Sequence, residues 1–173
     1  MISPEYVQMM ARYNGWQNRS IYTAASSLTK AARQQDRGAF FGSIHDTLSH
    51  LLFGDTLWMS RFDEWDAPEG NGPKMAAPFD DWTNLVAARR LADDRILEWA
   101  ARVSDDDLRG DISWFSGAMG RAFSKPRAML IVQMFNHQTH HRGQVHAMLT
   151  AAGAKPDDTD IPFMKDNKES DDV

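Results

Sequence analysis

The 173-residue chain contains no cysteine. Disulfides, thiolate metal ligands and a cysteine nucleophile are therefore excluded, and a thiol in any chemistry has to arrive with the substrate. Long apolar runs are also missing: none approaches the roughly 18 residues of a membrane span. The N-terminal MISPEYVQMMARYNGWQNRS has neither a basic segment nor an unbroken apolar stretch, so no signal peptide is expected. No lysine- or arginine-rich block occurs, and the net charge is −5, which argues against a dedicated nucleic-acid binder needing a positive surface. Nothing resembles a nucleophilic triad, a phosphate loop or a dinucleotide fingerprint; the glycines of GAMGR (117–121) lack a strand-loop-helix context. Internal repeats and low-complexity tracts are absent. These absences leave a soluble, cytoplasmic protein with no nucleic-acid or membrane partner as the expectation.

What is present suits one domain with a real core. A hydrophobic fraction of 42% beside 25% charged residues is ordinary for a globular protein. Six tryptophans and nine phenylalanines supply bulk, and ten methionines suit irregular gaps between helices.

Ser3-Pro4-Glu5 reads as a helix start, with serine as N-cap and proline at the first position. Met10, Tyr13, Ile21, Ala24, Ala25 and Leu28 carry an apolar face to about Leu28, before a turn at Arg37-Gly38. A second helical pattern runs from about Phe40 to Phe62 through Ile44, Leu48, Leu51 and Trp58. It stops at EWDAPEGNGPKMAAP (64–78), an aperiodic loop longer than most helix connections. Asp80 and Asp81 open a third helix, continuing through Trp82, Leu85, Leu91, Ile96 and Trp99 to about Val103. DISWFSGAMGRAFSKP (111–126) has no helical period and reads as an irregular segment or a short hairpin. Ser124-Lys125-Pro126 then opens a fourth helix, Arg127 to Ala152, capped by Gly153. The expected architecture is all-α: a four-helix bundle over 1–155 and an acidic tail over 156–173.

Four of the six histidines fall within NHQTHHRGQVH, Asn136 to His146; the other two are His45 and His50. Successive helical residues turn by about 100°, so His137 and His141 lie about 40° apart on one face. Leu130, Met134, Gln144, Val145 and Met148 fall near the same line, which points the pair into the bundle. A lone histidine on an apolar face is ordinarily a core residue bonded to a neighbour. Two side by side must both stay neutral, each with a polar partner, and few are at hand. A divalent metal resolves this, because neutral imidazole nitrogens are its natural ligands. A third ligand has to come from another helix, and His50 is the choice: it sits mid-helix, and Gly54 one turn on leaves room for a neighbouring backbone or ligand. His45 is rotated about 140° from His50, His140 about 60° from His137, and His146 lies nearly opposite His137. None of these three is expected to bind the metal, and His45 is expected at the surface or behind a ligand.

SIHDTLSHLLFGDTLWMSRF (43–62) followed by NHQTHHRGQVHAMLTAAG (136–153) resembles the DinB/YfiT-like family of metalloenzymes, and ARYNGWQNRSIY (11–22) is similar to that family's first helix. The resemblance spans roughly Tyr6 to Gly153. It implies a four-helix bundle with one divalent metal on three histidines, which map to His50, His137 and His141. It also implies a homodimer, as is common among such proteins, and, from some relatives, thiol-dependent transfer or isomerisation.

Other residues have less certain work. Asp46 and Asp55 flank His50, and either can orient an imidazole; for Asp46 a solvent-facing helix charge is the stronger reading. Gln144 is placed to hydrogen-bond a ligand of the metal, and Arg142 to serve as a structural ion-pair partner. Tyr13, Asn14, Trp16 and Asn18 form a polar-aromatic cluster; asparagines are poor helix formers, so inter-helix hydrogen bonding is expected of them. No residue is singled out as catalytic. Three histidines leave metal positions open to water or substrate, so the expectation is a metal-dependent enzyme acting on a small molecule. The reaction is either hydrolysis or transfer or isomerisation with a low-molecular-weight thiol. Zinc or nickel stands ahead of iron or copper. The rival is a non-catalytic metal-binding or stress-response protein; a general base near the site would favour the enzyme, and the ligand faces carry no glutamate, which leaves the reaction class open.

Overall fold

The computed structural model describes residues 1–68, 79–117 and 119–164. Four long helices dominate: α1 (Pro4–Ser26), α3 (Ile44–Phe62), α4 (Trp82–Arg102) and α5 (Arg127–Ala151). A short helix α2 (Lys30–Gln34) follows α1, and an antiparallel hairpin of β1 (Asp111–Ser116) and β2 (Arg121–Pro126) precedes α5. α1 packs on α4 and α5, and α3 packs on the same two helices, so the four close around one core. Val7 and Ile21 of α1, Leu48 and Met59 of α3, Leu85 and Ile96 of α4, and Ile131, Phe135 and Leu149 of α5 are almost fully buried there. No described helix is long and apolar enough to cross a membrane.

Side-chain caps set most helix starts. Ser3, Thr29, Ser43 and Asp81 each accept a backbone N–H of the first turn of α1, α2, α3 and α4. α5 has no capping side chain; β2 runs straight into it, and Arg127 N–H donates to Gly110 O at 3.0 Å. Its far end closes on Gly153 (φ +82°), with Ala154 N–H donating to Leu149 O and Gly153 N–H to Thr150 O, a Schellman motif.

Several expectations change. The second long helix starts at Ile44 rather than Phe40, because Ser43 caps it and Ala39 and Gly42 form a tight bridge before it. α2 is an unexpected element. The segment before the last helix is the hairpin, in which Trp114 stacks on its cross-strand partner Phe123, and Ser124 to Pro126 belong to the strand. Most of the 64–78 loop, Ala118 and the end of the chain from 165 lie outside the described residues. The first part of the expected tail is not detached from the bundle: Asp157 N–H donates to Ser20 Oγ, Gln17 to Asp158 O and Tyr13 Oη to Thr159 O, fastening it along α1.

Candidate metal centre

α3 and α5 lie side by side with opposite directions, Gly54 facing His137 near their middles and Phe62 O facing Arg127 at one end. This brings together His50, His137 and His141, whose nearest ligand atoms all lie within 4.8 Å of one another. His50 Nε2 and His137 Nε2 are 3.1 Å apart. Two nitrogens bound to one tetrahedral ion at about 2.0–2.1 Å each sit about 3.3 Å apart, so the spacing suits a shared cation. The ring of His137 occupies the space that Gly54 leaves: a β-carbon there would fall 2.9 Å from His137 Cε1.

The electrostatics favour neutral imidazoles. Burial, then the neighbouring His141, His50 and His140, pushes the His137 pKa down to about 3. Burial also lowers that of His141, partly opposed by a hydrogen bond to Gln144. That bond runs from His141 Nδ1–H to Gln144 Oε1 at 2.8 Å, which leaves the Nε2 lone pair free for a ligand role. Gln144 thus orients a histidine rather than reaching toward a ligand of the metal. Without a cation, two lone pairs or two protons meet between His50 and His137 unless the tautomers alternate, and buried His137 Nδ1 has no partner among the described residues. The donor set therefore fits a divalent ion.

Phe41, which the sequence did not single out, stacks on His50 (centroids 3.9 Å, 22°) and meets His141 edge-on. It covers one side of the cluster. Only its position two residues before the Ser43 cap signals this, and the turn from Ala39 to Gly42, with Gly42 at φ +79°, aims it there.

The remaining histidines stay out of the cluster. His140 is exposed and touches only the edge of His141 among described rings. His146 lies in a cleft of about 290 Å³ with Tyr13, Gln17 and Arg142. His45 is 6% exposed, not at the surface: its Nε2 meets Phe79 O at 2.7 Å, linking α3 to the start of α4.

Neither aspartate orients a histidine. Asp46 is exposed and pairs with Ser43 at the α3 cap. Asp55 is buried and turned into the bundle, 2.6 Å from Arg89 and accepting from Gln138 Nε2 at 2.9 Å. Arg89 also bridges to Asp93, which accepts from Asn14 and Asn18; Arg142 donates to Asn14 Oδ1. Asn14 and Asn18 thus make the inter-helix bonds expected of them, whereas Arg142 has an amide partner rather than an ion pair. Burial lowers the Arg142 pKa to about 10, still charged at neutral pH. Burial also opposes the charge of Arg89, but Asp93 and Asp55 together outweigh it and raise its pKa. This network joins all four long helices directly behind the histidines, since Gln138 neighbours His137 and Asp55 neighbours Gly54.

The DinB family profile matches residues 1–172. Protein DinB of Bacillus subtilis (strain 168) is 25% identical over 164 residues, spanning 90% of this chain and 91% of that one. The crystal structure of a DinB-like protein from Bacillus cereus ATCC 10987 superposes with a TM-score of 0.60 at 17% identity, covering 83% of this chain and 90% of that one. That likeness speaks to the fold.

Proposed function

The chain belongs to the DinB family, and we propose that it is a metal-dependent enzyme whose divalent ion is held by His50, His137 and His141. The observation that carries this reading is the meeting of three imidazoles, two of them pushed toward neutrality, with two Nε2 atoms 3.1 Å apart. Zinc or nickel suits such a set ahead of iron or copper. When bound, the ion supplies Lewis acidity and lowers the proton affinity of a donor atom placed on it.

The chain's own residues do the rest. Gln144 keeps the His141 proton on Nδ1, Gly54 admits the His137 ring, and Phe41 shields His50 from water. Among the described residues the metal-capable group contains no carboxylate. With no carboxylate in that group, the reading favours a substrate that brings its own acidic donor. A small molecule with a thiol fits, in transfer or isomerisation; hydrolysis is the other reaction such a centre supports.

Metal analysis of the purified protein tests the reading: about one divalent ion per chain is expected, lost in His137→Ala and kept in His140→Ala and His146→Ala. With cobalt substituted, a thiol or acetohydroxamate should change the visible spectrum and saturate at one site per chain. Metal retained by His137→Ala overturns the ligand set. A cobalt spectrum unmoved by either compound assigns the protein to non-catalytic metal binding.

A further inference from the structure

Arg61 lies eleven residues after His50 on α3, which turns it only about 20° from the His50 direction. Helical side chains lean toward the helix N-terminus, here toward the histidines. Consistent with that lean, the Arg61 guanidinium lies 4.7 Å from the ring centroid of Trp58, one turn back, and 5.3 Å from that of Trp114 on the hairpin. The two indoles meet edge to face at 6.0 Å, and Trp58 stacks on Phe62, so the cation is held on a rigid aromatic support.

Burial lowers the Arg61 pKa, yet a guanidinium remains charged at neutral pH. Among the described residues it has neither a carboxylate nor a carbonyl partner. Arg89, Arg102 and Arg109, by contrast, form ion pairs, and Arg33 and Arg37 are spent on carbonyls. Arg61 is thus a half-buried, aromatic-backed cation with donors to spare, on the α3 face that carries a metal ligand. On α5, Gln133 and Met129 lie one and two turns before His137 and are both exposed. Leu57 and Trp58, both half-buried, fall between His50 and Arg61 along α3.

We propose that Arg61, set against Trp58 and Trp114, anchors an oxyanion at one end of a substrate whose other end meets the three histidines. The inference rests on the metal-centre reading and adds the substrate class to it. Trp58 stands eight residues from His50, about 12 Å along the helix. The substrate is therefore an elongated small molecule with a metal-seeking donor at one end and a carboxylate or phosphate about 12 Å away. A planar guanidinium takes either oxyanion through two parallel N–H bonds. A plainer role for Arg61 is a cation at the α3 C-terminus that offsets the helix dipole; that role affects stability but not ligand choice.

Cobalt-substituted protein distinguishes the roles by binding. Three hydroxamates are titrated against the visible spectrum: acetohydroxamate, octanohydroxamate, and the monohydroxamate of suberic acid, which has the octano chain length and ends in a carboxylate. A phosphonate-ended analogue of the same length separates the two oxyanions. The carboxylate- or phosphonate-ended compound should bind about tenfold tighter than octanohydroxamate, the effect of one charge-assisted contact. In Arg61→Met, which keeps the aliphatic stem, that preference should vanish while acetohydroxamate binds as before. Equal binding of charged and methyl-ended compounds, or a preference that survives Arg61→Met, overturns the anchor while leaving the metal centre standing. Failure of acetohydroxamate to perturb the cobalt overturns the anchor together with the enzyme reading on which it rests.

Discussion

The imidazole of His137 rests against the bare α-carbon of Gly54: an added β-carbon would sit 2.9 Å from Cε1 and 3.4 Å from Nδ1. The contact joins α3 to α5 at the level of the histidine cluster, so residue 54 sets the position of one of its three imidazoles.

Gly54→Ala should therefore move the His137 ring and weaken metal binding by about 10- to 100-fold, the usual effect of disturbing a ligand's support. Stability should change little, because a helix gains about 1 kcal/mol from alanine over glycine and overpacking costs a comparable amount. Cobalt titration and urea unfolding together check this; unchanged affinity would show that the ring has freedom to shift.

Gln144→Leu removes the acceptor for His141 Nδ1–H while keeping side-chain volume. Metal affinity should fall by about tenfold or more as the tautomer and ring orientation loosen. The circular dichroism spectrum should be unchanged. Gln144→Glu should restore or strengthen binding, since a carboxylate accepts the same proton.

Asp55→Ala leaves buried Arg89 with Asp93 alone and strips Gln138 of its acceptor. Breaking a buried ion pair from one side costs about 3–5 kcal/mol, so a large drop in the urea midpoint is expected. Asp55→Asn, which keeps an acceptor for Gln138, should fall between this variant and the parent.

In metal-free protein the depressed His137 pKa makes stability depend on pH. Unfolded, the residue titrates near 6.5; folded, it stays neutral down to about 3. Between those values the unfolded chain binds more protons, so the stability present above pH 6.5 is lost as pH falls, by up to about 1.4 kcal/mol per pH unit from this residue. Unfolding measured with a chelator from pH 7 to 5 should show that slope, reduced in His137→Gln. Identical slopes in both proteins would contradict the buried, neutral state of His137.

Local rules account for much of this protein. The spacing of Leu48, Leu51 and Phe62, or of Leu85, Ile96 and Trp99, marks a buried helical face because the α-helix has a fixed period. Ser3, Asp81 and Gly153 mark ends because they satisfy groups that helices leave open. The same period puts His137 and His141 on one face and keeps His146 off it. Phe40 misled because an apolar residue just before a capped helix continues the period without joining the helix; it is 67% exposed. Docking of α3 against α5 decided what spacing could not: which nitrogens meet, that Gly54 is filled by His137, and that Phe41 covers His50 from a turn. Packing of α3 on α4 likewise turned Asp55 toward Arg89, 34 residues away. The physical reason is range. Periodicity and capping act within a few residues, while contacts between separate helices depend on how whole faces pack and on where each buried polar group finds its partner.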